Sequence, residues 1–117
     1  APNTSAARAA AVLPWHELDS PEHAASLERH RTLLGLRREL FHGRMPARNP
    51  GGELLGERAL HAHWQLADGA TLHLLANLDD RELSASGAPG EPLASTERAP
   101  SAGEPLPAWY VAWTLAR

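Results

Sequence analysis

Three histidines share one face of a predicted sheet. The chain has seven histidines in 117 residues, and neutral imidazole is a good ligand for zinc or copper. His61 and His63 are two residues apart on one predicted strand, and His73 lies on the next. No carboxylate is spaced with them in the sequence, and the outer face of a half-buried sheet is expected to be polar. We therefore interpret the three histidines as an outer sheet face and predict no metal site.

Adjacent carboxylates form the second pattern, because a glycosidase uses two carboxyl groups about 5 to 10 Å apart across a cleft. Asp79 and Asp80 are neighbours, and Glu17 lies close to Asp19. Both pairs stand where turns and helix starts ordinarily use acidic residues. The chain has no Gly-x-Ser-x-Gly motif and no phosphate-binding glycine pattern. The sequence therefore predicts no catalytic residue and no cofactor in this chain.

Tryptophan is the third notable feature, because the chain has four tryptophans but only one phenylalanine and one tyrosine. An exposed tryptophan on a β-domain is typical of sugar stacking, whereas a buried one packs a core. Trp64 and Trp113 fall on the apolar side of predicted strands, so we assign them to the core. Trp15 and Trp109 are open to both interpretations, and they are the candidate sugar-stacking residues of this chain.

Composition excludes several classes of function. The chain has 11 basic residues, all of them Arg, and 14 acidic residues, so a basic face for nucleic acid or an anionic membrane is not expected. It has no cysteine, which excludes disulfides and thiol catalysis. Its apolar runs are too short to span a membrane. We expect a soluble, cytoplasmic protein that is too short for a complete α/β barrel of about 250 residues.

The elements that position these residues begin with one helix. We interpret residues 1–19 as a partly disordered lead-in. Ser20, Pro21 and Glu22 form a helix start, because Ser caps the helix, Pro suits its first position and Glu meets the positive end of its dipole. Gly43 is a helix stop. The pattern predicts a helix over 20–42 and a loop over 43–53.

Two apolar ridges run along this predicted helix. They consist of Leu27, Leu34 and Phe41 on one side, and of Leu33, Leu36 and Leu40 on the other. A helix that docks on a single sheet needs an apolar arc of only about 100°, and these ridges together span roughly twice that. We expect one ridge to pack on the sheet and the other on a partner, with self-association through the helix. The alternative is that the segment around Val12, Leu13 and Trp15 folds back over it.

Alternation of apolar and polar residues predicts the strands. It runs from 59 to 66 and from 71 to 78, and Asp68-Gly69 between these runs is a hairpin signal. Weaker strands are predicted over 82–86 and 92–96, and a closing strand follows Trp109. The fold class is α+β, with one N-terminal amphipathic helix followed by a small antiparallel sheet or sandwich of about five strands. We assign 54–117 to the antiparallel β-domain and expect a single compact unit.

Several motifs resemble a known family. Trp15-His16-Glu17-Leu18, Pro21-Glu22-His23-Ala24 and Leu33-Leu34-Gly35-Leu36-Arg37-Arg38 resemble the end of the catalytic barrel in malto-oligosyltrehalose trehalohydrolases of the α-amylase superfamily. Leu74-Leu75-Ala76-Asn77-Leu78 and Leu106-Pro107-Ala108-Trp109 resemble strands of the all-β C-terminal domain in that family. Two departures are the missing Asp before Trp15 and Ala108 in place of a second Pro.

The resemblance implies a non-catalytic accessory domain, made of the last barrel helix and the C-terminal β-domain. The parent activity that it implies is hydrolysis, without cofactor, of the α-1,4 bond next to the terminal trehalose unit of maltooligosyl trehalose. The family's catalytic carboxylates lie upstream on the barrel, which is the implied partner. The alternative is a free-standing carbohydrate-binding module that uses an exposed tryptophan and binds maltooligosaccharides.

Overall fold

The computed structural model describes residues 3–117 and divides the chain into two compact units. The first unit ends at Gly35, and the second is Leu36–Arg117. The single compact unit that the sequence predicted stays a prediction. The long helix α2, Pro21–Phe41, contributes residues to both units.

The first unit is helical. It contains helix α1, Ser5–Ala10, a 3₁₀ helix, Trp15–Asp19, and the first turns of α2. α1 lies inside the predicted lead-in and is capped by Thr4, whose Oγ1 accepts a hydrogen bond from the Ala7 N–H at 3.1 Å. Ser20 Oγ accepts from the His23 N–H at 3.4 Å at the start of α2. No side chain between residues 3 and 35 is buried.

The second unit is a five-stranded antiparallel sheet with the strand order β1-β2-β3-β5-β4. Its strands are β1 (Arg48–Gly56), β2 (Ala59–Gln65), β3 (Thr71–Asn77), β4 (Glu91–Ser95) and β5 (Val111–Ala116). Together with α2 this sheet confirms the predicted α+β fold of one helix and about five antiparallel strands.

The β2–β3 hairpin forms where the alternation and the turn residues predicted it. Its register pairs His63 with His73, so the two rings share a sheet face. Gly69 adopts a φ of 86°, a conformation that favours glycine. Asp68 Oδ1 accepts a hydrogen bond from the Ala70 N–H at 3.1 Å, and its Oδ2 lies 2.7 Å from Arg44 Nε. These contacts fix the turn that sets the register.

The first strand corrects the predicted loop over 43–53, because β1 begins at Arg48. β1 is an edge strand, where a proline such as Pro50 is tolerated because its missing N–H can face away from the sheet. Gly52 lies so close to β2 that a Cβ there would be 2.9 Å from the His61 carbonyl oxygen. The strand predicted over 82–86 is absent, and Leu83 makes only one isolated bridge, to Leu106.

Both faces of the sheet carry an apolar cluster. One cluster consists of Leu40, Leu66, Ala70, Leu72 and Leu115, with Phe41, Trp64 and Trp113 packed against it. The other consists of Leu75, Leu106, Tyr110 and Ala112, with Leu55, Leu83, Ala85 and Ala88 packed against it. The segment between β3 and β5 therefore covers the face opposite the C-terminal turn of α2.

Across residues 3–117, no helix has the combined length and apolar character needed to cross a bilayer.

Candidate functional site

Trp109 occupies a turn immediately before β5. Its neighbours Leu106 and Tyr110 are buried, yet Trp109 itself is 61% exposed. Its φ is 57°, and within residues 3–117 it is the one non-glycine residue in this left-handed region. Bulky side chains are rare in that conformation. The turn therefore holds a large aromatic side chain at the surface in a backbone conformation that disfavours it.

Hydrogen bonds hold this turn from two sides. The Trp109 N–H donates to the Asp79 carbonyl at 3.1 Å, and Thr96 Oγ1 donates to the Trp109 carbonyl at 3.4 Å. Asn77, which is only 1% exposed, donates through Nδ2 to the Pro107 and Arg81 carbonyls, both at 2.8 Å. These contacts fix the backbone around Trp109 against the end of β3.

A small polar cavity lies beside the same turn. Its volume is about 140 Å³, and it is lined by Gly56, Glu57, Arg58, Ala59, Asn77, Asp79, Arg81, Glu82 and Leu83. Asp79 belongs both to this lining and to the hydrogen bond with Trp109. The cavity is below the range of about 300 to 1,000 Å³ that is usual for drug-sized ligands.

Asp79 interacts with three charged neighbours, Asp80, Arg58 and Arg81. A hydrogen bond with the Asp80 side chain, helped by the positive charges of Arg58 and Arg81, lowers the pKa of Asp79. The same hydrogen bond and the charge of Asp79 raise the pKa of Asp80. Of the two adjacent carboxyl groups, Asp79 therefore has the lower pKa, and the charges of Arg58 and Arg81 contribute to this.

Trp15 is equally open to solvent but has different surroundings. It starts the 3₁₀ helix of the first unit and is 67% exposed. Close by in that unit, His23 Nδ1 lies 3.1 Å from the Glu17 carbonyl and 3.7 Å from the Glu17 carboxylate. Glu17 is thus engaged in holding the start of α2. Trp15 and Trp109 both remain candidate sugar-stacking residues, and a polar cavity lies at the turn of Trp109.

The three predicted histidines do come together. The ring centroids of His61, His63 and His73 are 5.1 to 6.0 Å apart. His61 Nε2 lies 2.9 Å from His73 Nδ1, and His61 Nδ1 lies 3.3 Å from Glu53 Oε1. Glu53 is the carboxylate that the sequence did not place near them, because β1 was not predicted there. In neutral rings, His61 Nδ1–H donates to Glu53 and His73 Nδ1–H donates to His61.

This histidine cluster is not the outer face that the alternation predicted. His73 is only 8% exposed, and the cluster shares its sheet face with the buried residues Leu75 and Ala112. Burial, and then the charges of His61 and His63, lower the pKa of His73. The covering segment between β3 and β5 has no regular alternation, which is why the sequence did not reveal it.

Searching the described residues, 3–117, for three or more histidine, cysteine, aspartate or glutamate side chains placed to hold a metal ion finds no such group. The second aromatic pair is structural. Trp64 and Trp113 stack with ring centroids 5.6 Å apart, and both pack against the cluster that contains Leu72 and Leu115. Their assignment to core packing agrees with these contacts, although each remains half-buried.

Comparisons with known proteins found a matching family and a similar structure. The sequence model of the family described as "Domain of unknown function (DUF3459)" matches residues 47–113. The search of curated proteins gave no match. The crystal structure of a "Putative alpha Amylase" from Salmonella typhimurium is similar, with a TM-score of 0.79 and 22% sequence identity. The similarity covers 99% of this chain and 20% of that one, so this chain spans about a fifth of that protein's length.

Proposed function

This chain belongs to the DUF3459 family, and from that premise we propose that it is a non-catalytic accessory domain of an amylase-like glycoside hydrolase. The observation that carries the proposal is the match of almost the whole chain to one fifth of a much longer amylase-like structure. A segment that matches a small part of a larger chain in this way is expected to work as one domain among several.

The finer proposal is that the parent enzyme is a malto-oligosyltrehalose trehalohydrolase. It is supported by the motifs around Trp15 and Pro21 and by the Leu-Pro-Ala-Trp segment before β5. The parent would hydrolyse the α-1,4 bond next to the terminal trehalose unit of maltooligosyl trehalose. Local contacts engage one member of each acidic pair, with Glu17 beside His23 and Asp79 hydrogen-bonded to Asp80.

The apolar surface of the first unit supports a packing role. Leu34 is 62% exposed and Leu33 is 45% exposed, while Val12, Leu13 and Trp15 are each more than half exposed. The lead-in therefore leaves a leucine of each ridge of α2 exposed, Leu34 on one and Leu33 on the other. Contiguous exposed apolar residues usually mark an interaction site. We propose that the surface around Leu33 and Leu34 packs on the catalytic barrel of the parent enzyme and, in the isolated chain, on a second copy.

The accessory role is tested by measuring the mass of the native polypeptide. Mass spectrometry of the protein purified from its source should find these residues within a chain several times longer than 117 residues. Purified 117-residue protein should not hydrolyse maltooligosyl trehalose, and turnover that a point mutation in this chain abolishes would contradict the proposal. A native polypeptide of only 117 residues would contradict it as well.

The packing surface is tested by sedimentation of the isolated chain. We expect a dimer or larger species at high concentration and a monomer for Leu34→Arg, because the substitution places a charge on the exposed ridge. Leu54→Arg is the matched control, since Leu54 is 81% exposed but lies on β1 in the second unit. A wild-type chain that stays monomeric at high concentration would contradict the proposed surface.

The second candidate function is a free-standing carbohydrate-binding module. The observation in its favour is the exposure of Trp15 and Trp109, at 67% and 61%. A module of this kind predicts sugar binding by a short native polypeptide, whereas an accessory domain predicts a long one. The mass of the native polypeptide therefore separates the two.

A further inference from the structure

Three imidazole rings meet on a covered face of the sheet. The ring centroids of His61, His63 and His73 are 5.1 to 6.0 Å apart, and His73 is only 8% exposed. The buried residues Leu75 and Ala112 lie on the same face. An imidazole removed from water costs free energy unless its nitrogens find partners, whereas an apolar side chain at these positions would not. Packing alone therefore does not account for three histidines here.

Two ring nitrogens of this cluster face each other across adjacent strands. Nε2 of His61 on β2 lies 2.9 Å from Nδ1 of His73 on β3. One proton between the two nitrogens makes a hydrogen bond, and a metal ion in its place would make two coordinate bonds. At metal–nitrogen distances of about 2.0 to 2.1 Å, nitrogens 2.9 Å apart subtend an angle of roughly 90° at the ion. The separation of the two nitrogens therefore suits a metal ion without movement of the strands.

The same separation distinguishes between metals. In a tetrahedral zinc site two nitrogen ligands are about 3.3 Å apart, which is longer than the 2.9 Å found here. Angles of roughly 90° are those of the square-planar or tetragonal sites of Cu²⁺ and Ni²⁺, and imidazole suits both ions. Of these two ions, Cu²⁺ binds more tightly to a given set of nitrogen ligands. The geometry therefore favours Cu²⁺, and Ni²⁺ after it, over Zn²⁺.

Glu53 supports the ring of His61 from its other side. Its Oε1 lies 3.3 Å from His61 Nδ1, so the Nδ1–H donates to the carboxylate and the lone pair of the ring is on Nε2. Metal-binding histidines almost always donate their second ring N–H to a carboxylate, a backbone carbonyl or water, which fixes the ring and raises its basicity. No carboxylate is spaced with these histidines in the sequence, and the pairing of β1 with β2 supplies one.

We propose that His61 Nε2 and His73 Nδ1 form a two-nitrogen binding site for a divalent transition-metal ion, of which Cu²⁺ fits best. Glu53 positions the ring of His61, the His73 proton moves from Nδ1 to Nε2, and water supplies the remaining ligands. Residues 3–117 contain no group of three or more metal-holding side chains, so this site has only two protein ligands. The ion links β2 to β3 and stabilises the folded chain. The accessory role requires no metal, so the two proposals are independent.

The test is a calorimetric titration of the untagged 117-residue chain with Cu²⁺, Ni²⁺ and Zn²⁺ at about pH 7.5, where an ordinary histidine is neutral. We expect one tightly bound Cu²⁺ per chain, a higher melting temperature in its presence, and a tighter Kd for Ni²⁺ than for Zn²⁺. Pulsed EPR of the Cu²⁺ complex should count two coordinated imidazoles. This count is measured on the wild-type chain, so it does not depend on how well a variant folds.

Four variants decide which side chains hold the ion, and circular dichroism checks the fold of each. His61→Gln should weaken Cu²⁺ binding at least about tenfold, because it leaves one imidazole at the site. Glu53→Ala should weaken binding about tenfold while the EPR count stays at two, because Glu53 acts through the ring of His61. The controls are His63→Gln, outside the facing pair, and His42→Gln, exposed and outside the cluster. Both controls should keep the wild-type Kd and the count of two imidazoles.

Several results would overturn the metal site. These are an absence of stoichiometric Cu²⁺ binding, a count of one imidazole, a wild-type Kd in His61→Gln, or an equal loss of affinity in His42→Gln. An equal loss in His63→Gln would assign the ion to a different pair of rings and overturn this one. A tighter Kd for Zn²⁺ than for Ni²⁺ would overturn the tetragonal geometry. None of these results bears on the accessory role, which is decided by the mass of the native polypeptide.

Discussion

The two compact units of this chain differ sharply in what they bury. In the first, described from residue 3 to Gly35, no side chain is buried, and Leu33 and Leu34 remain exposed. In the second, an apolar cluster lies on each face of the sheet, and Leu106 is fully buried. The hydrogen bonds of a helix are local, but burial needs a partner surface, and packing on such a surface supplies most of the stability of a helix. The difference shows that a regular helix is not evidence of a core, since Leu40 alone is buried along α2.

Leucine truncation gives the largest expected contrast between the units. Leu106→Ala should lower the free energy of unfolding by about 2 to 5 kcal/mol, because it leaves a cavity in a closed cluster. Leu34→Ala makes the same chemical change on the exposed ridge and should cost less than about 0.5 kcal/mol. Urea unfolding followed by circular dichroism measures both. Equal losses of unfolding free energy in the two variants would contradict the difference in burial between the two units.

Tryptophan truncation should show a smaller contrast. A fully buried tryptophan costs about 3 to 5 kcal/mol when replaced by alanine, but Trp113 is half-buried and stacked on Trp64. We expect a loss of about 2 to 3 kcal/mol for Trp113→Ala. Trp15→Ala in the first unit should leave the unfolding curve within about 0.5 kcal/mol of the wild type. A higher cost for Trp15 than for Trp113 would contradict the burial described here.

The histidine cluster should make the stability of the second unit depend on pH. The pKa of His73 is lowered in the folded chain, so the unfolded chain binds its proton more tightly. Stability should therefore be complete above about pH 6.5, the ordinary histidine value, and should fall as pH drops below it. Thermal melts between pH 5 and 8 should show a weaker fall for His73→Gln than for the wild type.

His42→Gln is the control for that experiment, because His42 is an exposed histidine outside the cluster. It should follow the wild-type pH dependence. If His73→Gln lost stability with acid as steeply as the wild type, the cluster would not be the source of the effect.

The smallest effect is expected in the loop after β4. Glu97 is exposed, and its contact with Ser95 is made by the Glu97 backbone carbonyl rather than by its side chain. Glu97→Ala should change the free energy of unfolding by less than about 0.5 kcal/mol. A thermal melt that falls by several degrees would show that a surface loop of the second unit carries stability that its burial does not indicate.

Local patterns account for what the sequence predicted correctly. Ser20, Pro21 and Gly43 mark the ends of α2, and the alternation around Asp68-Gly69 gives the β2–β3 hairpin. Both depend on residues that are near one another in the chain. The packing of Trp113 against the apolar cluster followed from the same alternation.

Long-range pairing accounts for what the sequence did not predict. β1 contains Pro50, Gly51 and Gly52, which locally favour a loop and form a strand only because β2 pairs with them. The pairing of Glu53 with His61 was missed for the same reason. The polar cavity near Asp79 combines residues from two separate parts of the chain, 56–59 and 77–83, and no spacing in the sequence reveals it.

The buried amide of Asn77 has a consequence for chemical ageing of the protein. Its Nδ2 group faces the carbonyl oxygens of Arg81 and Pro107, and its Oδ1 accepts from the Asp79 N–H at 3.2 Å. Deamidation to aspartate would replace the donor by a negatively charged oxygen that faces those carbonyl oxygens. One such event would weaken the contacts that hold the covering segment and the turn at Trp109. The closed structure around Asn77, which is only 1% exposed, therefore also protects this side-chain amide from water.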